Sequence, residues 1–568
     1  ETGHGVFVSG SGAIAARIAP ALLLPAVGQA LFFPLGRSLA GSRPGDRSIS
    51  SRSLGGQQKQ EKMLFRSTRG AFLDMTFEEA VFEGLAQDGG LLVPHFIPDL
   101  SGQWKKWKNL PFDELAFEIA KPWVGEEIPE EDLRSLMKRS YATFSDKDVV
   151  PTRSVGGIEI MELFHGPTYA FKDVALQALG NLFEYFLTRS NKRITVVGAT
   201  SGDTGSAAIY GLRGKKNVEC FILFPEGRVS PIQQMQMTSV LDPNVHCVAV
   251  QGTFDDCQDI VKALFRDLKF KKQYSLGAVN SINIARIMFQ ITYYFYTYFK
   301  AFPNCDGEMS FSVPTGNFGD ILAGYYAKRM GLPVRHLLVA TNSNDILDRF
   351  FTTGQYNKYP VVQTFSPSMD IGISSNFERY LFYLFGEDSQ MLKGMMDEFN
   401  RTGKLEVDAK LLATAKQDFL SACCSEQDTI DTIASFHKQH GYTLDPHTAC
   451  GVRAVQTLEA KQVPQCTAKG KKHVMVVLST AHPAKFSMAV SKATGAPPTL
   501  PPGLAACQDS EVRFQVMPAS TPAIKGYIET TIPDFTGQRN VYTPTHILTA
   551  STVVAAVFVA GVLVGKNL

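Results

Sequence analysis

Short apolar runs alternate with helical patterns through the middle of the chain, and this alternation limits the fold more than any other feature. The runs are "RITVVGAT" (193–200), "VECFILFP" (218–225), "VHCVAV" (245–250), "EMSFSVPTG" (308–316), "RHLLVATN" (335–342) and "KHVMVVLST" (472–480). Strands that are apolar along their length are buried on both faces, as in parallel sheets covered by helices. The sequence therefore predicts an α/β fold of parallel or mixed sheets, with ligand sites beyond the carboxyl ends of the strands.

The two ends of the chain differ from this middle part in composition. No acidic residue occurs from Thr2 to Gly45, which is typical of an organelle transit peptide, although an unstructured leader is the alternative. The stretch from Ile547 to Gly565 has about nineteen residues without a charge. That length is enough to cross a membrane, but a buried segment or an incidental tail would look the same. The proline-rich stretch from Pro497 to Pro522 predicts a linker.

These changes in composition predict five regions. The patterns "TFEEAVFEGLA", "FDELAFEIA" and "PEEDLRSLMKRSYATF" indicate a small, mostly helical N-terminal domain. The regions are a leader at 1–62, the N-terminal domain at 63–148, the α/β domain at 149–492, a linker or C-terminal region at 493–545 and a hydrophobic tail at 546–568.

Charge and cysteine content exclude several classes of protein. The formal net charge is +2 and basic residues form no dense cluster, so nucleic-acid binding is not predicted. The nine cysteines have no regular spacing and no C-x-x-C pair, which argues against a disulfide framework and against a zinc site. We therefore expect no metal and a cytoplasmic protein, or a mitochondrial one if the leader is a genuine transit peptide. A monomer or a dimer is expected.

Three turns follow predicted strands and carry polar or glycine residues. The turns are "GATSGDTGSAA" (198–208), "PTGNFGD" (314–320) and "STAHPAKF" (479–486). The first two place glycines directly before a helix, where backbone N–H groups can hold an anion. Each turn alone is weak support for a site, because a glycine turn before a helix is common. The third turn ends its strand with hydroxyl residues.

A single lysine, Lys172, lies between aromatic residues at the start of an apolar helix in "LFHGPTYAFKDVALQ" (163–177). The positive end of a helix dipole lowers the pKa of an amine, which favours its use as a nucleophile and a base. A surface lysine that opens a helix is the alternative. Pyridoxal phosphate needs a lysine, a backbone cradle for its phosphate and a partner for its ring nitrogen, and an amino-acid substrate needs a second cradle for its carboxylate. The lysine and the two cradles together therefore predict a pyridoxal-phosphate site.

Several long motifs resemble the threonine synthase family, most closely its fungal type. They are "LFHGPTYAFKDVALQ", "VVGATSGDTGSAAIYGLRGKK", "AVNSINIARI", "PTGNFGDILAGYYAKRMGLP", "TLDPHTACGVRA" and "LSTAHPAKF". The similarity runs from about Ser67 to about Lys492. The resemblance implies a fold-type II pyridoxal-phosphate enzyme that converts O-phospho-L-homoserine and water to L-threonine and phosphate, the last step of threonine biosynthesis.

The resemblance also implies a role for each matching residue. Lys172 binds the cofactor through a Schiff base and acts in catalysis, and Thr480 meets the ring nitrogen. The cofactor phosphate is held by Gly316, Asn317, Phe318 and Gly319, with Asp320 closing the turn. The substrate carboxylate is assigned to Ser201, Gly202, Asp203 and Thr204, and the substrate phosphate to Ser281, Asn283 and Arg286, although a structural salt bridge is an equal alternative for Arg286.

Two alternative functions share these motifs. A catabolic phospho-lyase would release 2-oxobutyrate instead of threonine from the same substrate. A non-catalytic, membrane-tethered homologue would bind no cofactor, which the intact lysine and cradles argue against.

Overall fold

Two sheets of mainly parallel strands form the framework of the protein. The computed structural model describes residues 62–71, 73–200, 202–460 and 472–533. The strands are β1 Phe65–Ser67, β2 Leu92–Pro94, β3 Thr152–Val155, β4 Ile158–Glu162, β5 Ile194–Ala199, β6 Val218–Pro225, β7 Val245–Gln251, β8 Leu276–Gly277, β9 Gly307–Pro314, β10 Val334–Thr341, β11 Gln355–Asn357, β12 Lys404–Glu406, β13 Phe419–Cys423, β14 Lys472–Ser479 and β15 Gln515–Pro518.

The order of the strands brings several carboxyl ends to common edges. The larger sheet has the order β13-β10-β9-β14-β4-β3, and its strands are parallel except for the antiparallel pair β3–β4. The second sheet, β15-β7-β6-β5-β8, is parallel throughout. Two small antiparallel pairs, β1–β2 and β11–β12, complete the sheets of the described residues. The predicted parallel and mixed sheets are therefore confirmed.

Helices cover these sheets and build the N-terminal region. The α-helices are α1 Phe77–Glu83, α2 Phe112–Val124, α3 Glu130–Tyr141, α4 Lys172–Ser190, α5 Asp203–Leu212, α6 Pro231–Thr238, α7 Phe254–Arg266, α8 Leu268–Gln273, α9 Ile284–Ala301, α10 Gly319–Arg329, α11 Ile346–Thr353, α12 Phe377–Leu384, α13 Ser389–Thr402, α14 Ala409–Asp418, α15 Glu426–His440, α16 Pro446–Ala460, α17 Ser487–Thr494, α18 Pro502–Gln508 and α19 Thr521–Thr531. Short 3₁₀ turns span Trp104–Trp107, Pro367–Met369 and Pro483–Phe486.

Helix α9 lies at the centre of the core. Every residue from Ile284 to Phe299 is buried, which is the behaviour of a helix that is apolar around its whole circumference. It packs against α4 and α10 of the α/β region and against α2 of the N-terminal region. The rings of Trp104 and Tyr298 meet edge to face with their centroids 5.4 Å apart. The small helical N-terminal domain is therefore present, and it shares one continuous apolar core with the rest of the described chain.

The predicted linker is wrong for the part of residues 493–545 that the structure describes. Strand β15 joins the second sheet by pairing in parallel with β7, and α19 buries Ile524 and Ile528 against the same sheet. Two of the prolines that suggested a break, Pro502 and Pro522, lie in the first turns of α18 and α19. Proline fits there since its missing N–H has no intrahelical partner at that position.

The two terminal regions lie outside the described residues, apart from Lys62 at the end of the leader. The predictions of a leader at 1–62 and of a hydrophobic tail at 546–568 therefore stay predictions. Among the residues that the structure does describe, no helix combines the length and apolar character that a membrane span needs.

We expect Ile528→Ala to lower the free energy of unfolding by about 3 kcal/mol, because it empties a fully buried position in the core of the second sheet. Chemical denaturation of the full chain would measure this. The control is Thr530→Ala, an exposed position on the same helix, which should change stability by less than about 0.5 kcal/mol. Equal effects of the two substitutions would contradict the packing of α19 into the core.

Candidate active site

The ends of four parallel strands contribute to one site. β4, β14 and β9 are neighbours in the larger sheet and end at Glu162, Ser479 and Pro314. β5 of the second sheet ends at Ala199, and α5 follows it. The turns that leave these strands carry Lys172, Thr480, the 316–320 segment and Asp203. The carboxyl edges of both sheets thus supply the predicted site residues, as expected for an α/β fold.

Lys172 is a buried cation at the first position of α4. Its Nζ lies 4.7 Å from the centroid of the Phe171 ring and 3.7 Å from Asp203 Oδ2. Burial lowers the pKa of Lys172 to about 8, against the opposing effect of Asp203 and with added lowering from Arg286 and Lys485. The aromatic neighbour therefore helps to exclude water from an amine that is partly unprotonated near neutral pH.

Backbone contacts hold the turn before Lys172 against the end of β14. The Phe171 N–H donates to the Thr480 carbonyl oxygen at 2.8 Å, and the His482 N–H donates to the Tyr169 carbonyl oxygen at 3.1 Å. The structure therefore brings Lys172 and the buried Thr480 together, as predicted. The role of the Thr480 hydroxyl towards a cofactor ring stays a prediction.

Asp203 is a buried carboxylate shared by two lysines. Its Oδ1 accepts hydrogen bonds from Lys485 Nζ at 2.8 Å and from Gln233 Nε2 at 2.7 Å. Burial alone would raise the pKa of Asp203, but Lys485 and Lys172 hold it well below its usual range. Asp203 is therefore ionised at neutral pH.

Lys485 is a buried residue of this site that sequence reasoning missed. It is almost completely buried in the 3₁₀ turn after β14, and its Nζ also donates to the Thr168 carbonyl oxygen at 2.7 Å. The sequence signal for Lys485 is its place in the "STAHPAKF" turn, for which the site prediction used only the hydroxyl residues. Its carboxylate partner, Asp203, opens the helix that follows β5 of the second sheet, so no spacing rule could have paired the two.

The start of α5 forms the first anion cradle. Gly202 has φ +146°, and a Cβ there would lie 2.7 Å from the Gln233 side chain, so the position requires glycine. Thr200 Oγ1 accepts the N–H groups of Gly202 at 3.0 Å and Gly205 at 2.8 Å. The N–H groups of Asp203 and Thr204 open the helix and have no acceptor within it. Ser201 lies outside the described residues.

The start of α10 forms the second anion cradle. A Cβ on Gly316 would lie 2.7 Å from the Ser368 carbonyl oxygen, and Phe318 adopts φ +60° directly before the helix begins at Gly319. Asn376 Nδ2 donates to the Asn317 carbonyl oxygen at 2.9 Å and fixes the turn from behind. A rigid glycine turn that ends in a helix N-terminus suits a phosphate group.

Two buried charged groups lie beside this second cradle. Asp320 Oδ1 accepts hydrogen bonds from the Tyr293 hydroxyl and, at 3.0 Å, from the Tyr294 hydroxyl. Burial raises the pKa of Asp320 to about 6, although the tyrosines and Arg286 oppose the rise. Arg286 is buried in the first turn of α9, and its Nη1 has no hydrogen-bond partner among the described residues. A buried guanidinium nitrogen without a hydrogen-bond partner is costly, so this position favours an anionic ligand.

The other two residues predicted for the substrate phosphate have structural partners. Ser281 Oγ lies 3.0 Å from Ser375 Oγ. Asn283 caps α9 by accepting the Ala285 N–H at 3.1 Å, and its Nδ2 donates to the Val81 carbonyl oxygen at 2.8 Å. A contact of either residue with substrate stays a prediction.

The "TLDPHTACG" segment links the second cradle to the end of β14, a role that sequence reasoning did not assign. His447 Nδ1 donates to Asp445 Oδ1 at 2.8 Å, and its Nε2 accepts the Ser368 N–H at 3.2 Å. Thr448 Oγ1 donates to Ser479 Oγ at 3.1 Å. These contacts fix Ser368, whose carbonyl oxygen lies close to Gly316. They also connect the second cradle to β14, the strand that Thr480 follows.

The described residues fit pyridoxal phosphate. The chain supplies a buried lysine of lowered pKa, a glycine cradle at a helix start and a threonine next to the lysine turn. The two-sheet fold and this site define a pyridoxal-phosphate-dependent enzyme, and residues 160–392 match the family model for a pyridoxal-phosphate dependent enzyme. Residues 64–141 match the threonine synthase N terminus, and residues 448–528 match the C-terminal model of threonine synthase. The chain belongs to the threonine synthase family.

Individual relatives agree with this family. A threonine synthase of Schizosaccharomyces pombe is 48% identical over 514 residues, which cover 84% of this chain and 96% of that protein. A threonine synthase of Saccharomyces cerevisiae is 51% identical over 463 residues, which cover 76% and 89% of the two chains. The crystal structure of pyridoxal-phosphate-bound threonine synthase from Brucella melitensis aligns with a TM-score of 0.79 at 43% identity, covering 83% of this chain and 99% of that chain. The predicted family, fold class and cofactor are confirmed.

We expect Gly316→Ala to weaken pyridoxal-phosphate binding at least about tenfold, because the new methyl group would displace the cradle from the Ser368 carbonyl. Titration of the cofactor-free protein, followed by absorbance, would measure the dissociation constant. Gly394→Ala is the matched control, since a Cβ there meets no atom within 4 Å. A normal dissociation constant for Gly316→Ala would contradict the assignment of this cradle.

Proposed function

We propose that this protein catalyses the threonine synthase reaction, in which O-phospho-L-homoserine and water give L-threonine and inorganic phosphate. The observation that carries the proposal is the buried amine of Lys172, with its lowered pKa, next to three positions that suit anions. Those positions are the starts of α5 and α10 and the guanidinium of Arg286. The reaction brings three anionic groups together: the cofactor phosphate, the substrate carboxylate and the substrate phosphate.

Each anionic group has a suitable partner. The glycine cradle from Gly316 to Gly319 holds the cofactor phosphate at the start of α10. The first-turn amides of α5, at Asp203 and Thr204, bind the substrate carboxylate. Arg286 binds the substrate phosphate, since its planar fork matches a phosphate dianion and its Nη1 has no partner among the described residues. The substrate is thereby held at both ends.

Lys172 is the group that moves protons in this site. Pyridoxal phosphate, when bound, supplies a ring that withdraws electrons from the carbon next to the substrate nitrogen. With a pKa of about 8, about a tenth of the Lys172 amines are unprotonated at pH 7, against roughly one in 2,500 for an exposed lysine. The Nζ atom can therefore accept a proton from one substrate carbon and return it to the next.

The alternative product, 2-oxobutyrate, would require the same binding groups. Elimination of phosphate precedes either outcome, and the difference lies in whether water adds before the product leaves. The identity of 48% and 51% with two fungal threonine synthases favours threonine. A product assay separates the two reactions directly.

We expect the full-length protein to release threonine and phosphate in equal amounts from O-phospho-L-homoserine, measured by amino-acid analysis and a phosphate assay. Lys172→Ala should lower turnover by more than about a thousandfold with little change in thermal stability, because it removes both the covalent attachment point and the base. Borohydride treatment of the wild-type protein should fix pyridoxal phosphate on Lys172. Release of 2-oxobutyrate would contradict the proposed product, and attachment to a different lysine would contradict the site.

Arg286→Leu should raise the KM for O-phospho-L-homoserine about 10- to 100-fold, since it removes charge-assisted hydrogen bonds to phosphate. Thermal stability should not fall, because the substitution also removes a buried guanidinium whose Nη1 has no hydrogen-bond partner among the described residues. Steady-state kinetics and a melting curve would measure both effects. The matched control is Arg329→Met, whose guanidinium has a partner in the Tyr325 hydroxyl at 2.8 Å. An unchanged KM with a fall in melting temperature would instead support a structural ion pair between Arg286 and Asp320.

A further inference from the structure

One buried carboxylate serves two lysines that come from different parts of the fold. Asp203 Oδ1 lies 2.8 Å from Lys485 Nζ, and Asp203 Oδ2 lies 3.7 Å from Lys172 Nζ. The side chains of all three residues are at most 7% exposed, so water screens these charges little. The shorter contact belongs to Lys485, which is therefore the main partner of the carboxylate.

A carboxylate close to a buried amine normally stabilises the protonated form of that amine. Asp203 without another partner would thus hold Lys172 as an ammonium ion, which can neither attack a carbonyl carbon nor accept a proton. Lys485 offsets the charge of Asp203 and also repels a proton on Lys172 directly. Both effects of Lys485 act in the same direction and favour the unprotonated amine.

The other charged groups around Lys172 come from several elements. Arg286 on α9 lowers the pKa of Lys172, in the same direction as Lys485. Asp320 on α10 interacts with the charge of Lys172, and His447 on α16 interacts with the charge of Asp203. Within the described ranges, none of these three residues forms a hydrogen bond or an ion pair with Asp203, whereas Lys485 does so at 2.8 Å. Lys485 is accordingly the residue on which the charge of Asp203 depends most directly.

We propose that Lys485 is a positioning residue that neutralises Asp203 and thereby keeps the Lys172 amine available without its proton at neutral pH. The same Nζ donates to the Thr168 carbonyl oxygen at 2.7 Å, so Lys485 also fixes the turn that precedes Lys172. The proposal deepens the proposed function, since it requires Lys172 to be the reacting amine. It does not depend on which product the enzyme releases.

The test measures the protonation of Lys172 without using turnover. Full-length protein, stripped of pyridoxal phosphate, is treated with a trace of acetic anhydride at a series of pH values from 6 to 11. Mass spectrometry then compares acetylation of the Lys172 peptide with that of the exposed Lys404 in the same sample. In the wild-type protein the Lys172 curve should have its midpoint near pH 8.

Lys485→Met should move the Lys172 curve about one pH unit to the alkaline side, which makes acetylation at pH 7 about tenfold slower. Lys485→Arg keeps the positive charge and should restore most of the wild-type curve. Gln233→Leu is the matched control, because it removes a neutral donor from the same Asp203 oxygen at 2.7 Å. Its curve should stay close to that of the wild type.

A second variant keeps the proposal testable if Lys485→Met does not fold. Asp203→Asn removes the carboxylate itself, so the Lys172 curve should move to the acid side. The proposal is overturned if Lys485→Met folds and leaves the curve in place, or if Asp203→Asn moves it to the alkaline side. It is also overturned if Gln233→Leu moves the curve as far as Lys485→Met, because geometry and not charge would then be responsible. A failed product assay with the expected labelling curves would reject the proposed function alone.

Discussion

The buried ion pair between Asp203 and Lys485 connects the two sheets at the site. Asp203 opens the helix that follows β5 in the second sheet, whereas Lys485 lies in the turn that follows β14 in the larger sheet. Breaking a buried pair by removing one partner leaves an uncompensated charge and typically costs 3–5 kcal/mol. Since Lys485 also binds the Thr168 carbonyl oxygen, one side chain contacts both the start of α5 and the turn that precedes Lys172.

Much of the fold and of the site could be predicted from the sequence because the signals are local. Continuous apolar runs predicted the parallel strands, and glycine turns predicted the starts of α5 and α10. The linker prediction failed for the opposite reason. Proline disfavours the interior of a helix but fits its first turn, and the sequence of residues 493–533 does not distinguish the two uses. The burial of Ile524 and Ile528 depends on strands that are distant in sequence.

The residues that were missed act through partners elsewhere in the chain. Lys485 meets Asp203, and His447 meets the Ser368 N–H behind the second cradle. Each lies within a motif that was recognised, but a motif identifies residue types and not the groups they contact. Asn283 is an amide in a recognised motif that caps α9 and binds the Val81 carbonyl oxygen. The motif did not predict these structural contacts, and the predicted contact of Asn283 with the substrate phosphate stays a prediction.

Two buried charged side chains that lack some of their hydrogen-bond partners connect the stability of the folded protein to ligand binding. Arg286 Nη1 and Asp320 Oδ2 are both buried and have no hydrogen-bond partner among the described residues. Each such group costs free energy in the folded protein, and an anionic ligand that reaches Arg286 offsets part of that cost. A ligand that binds only the folded chain raises the free energy of unfolding. The increase grows with the logarithm of the ratio of ligand concentration to dissociation constant. In the proposed function, the same Arg286 Nη1 that lowers the stability of the free protein would contribute affinity for the substrate phosphate, because the penalty is relieved only when the anion is bound.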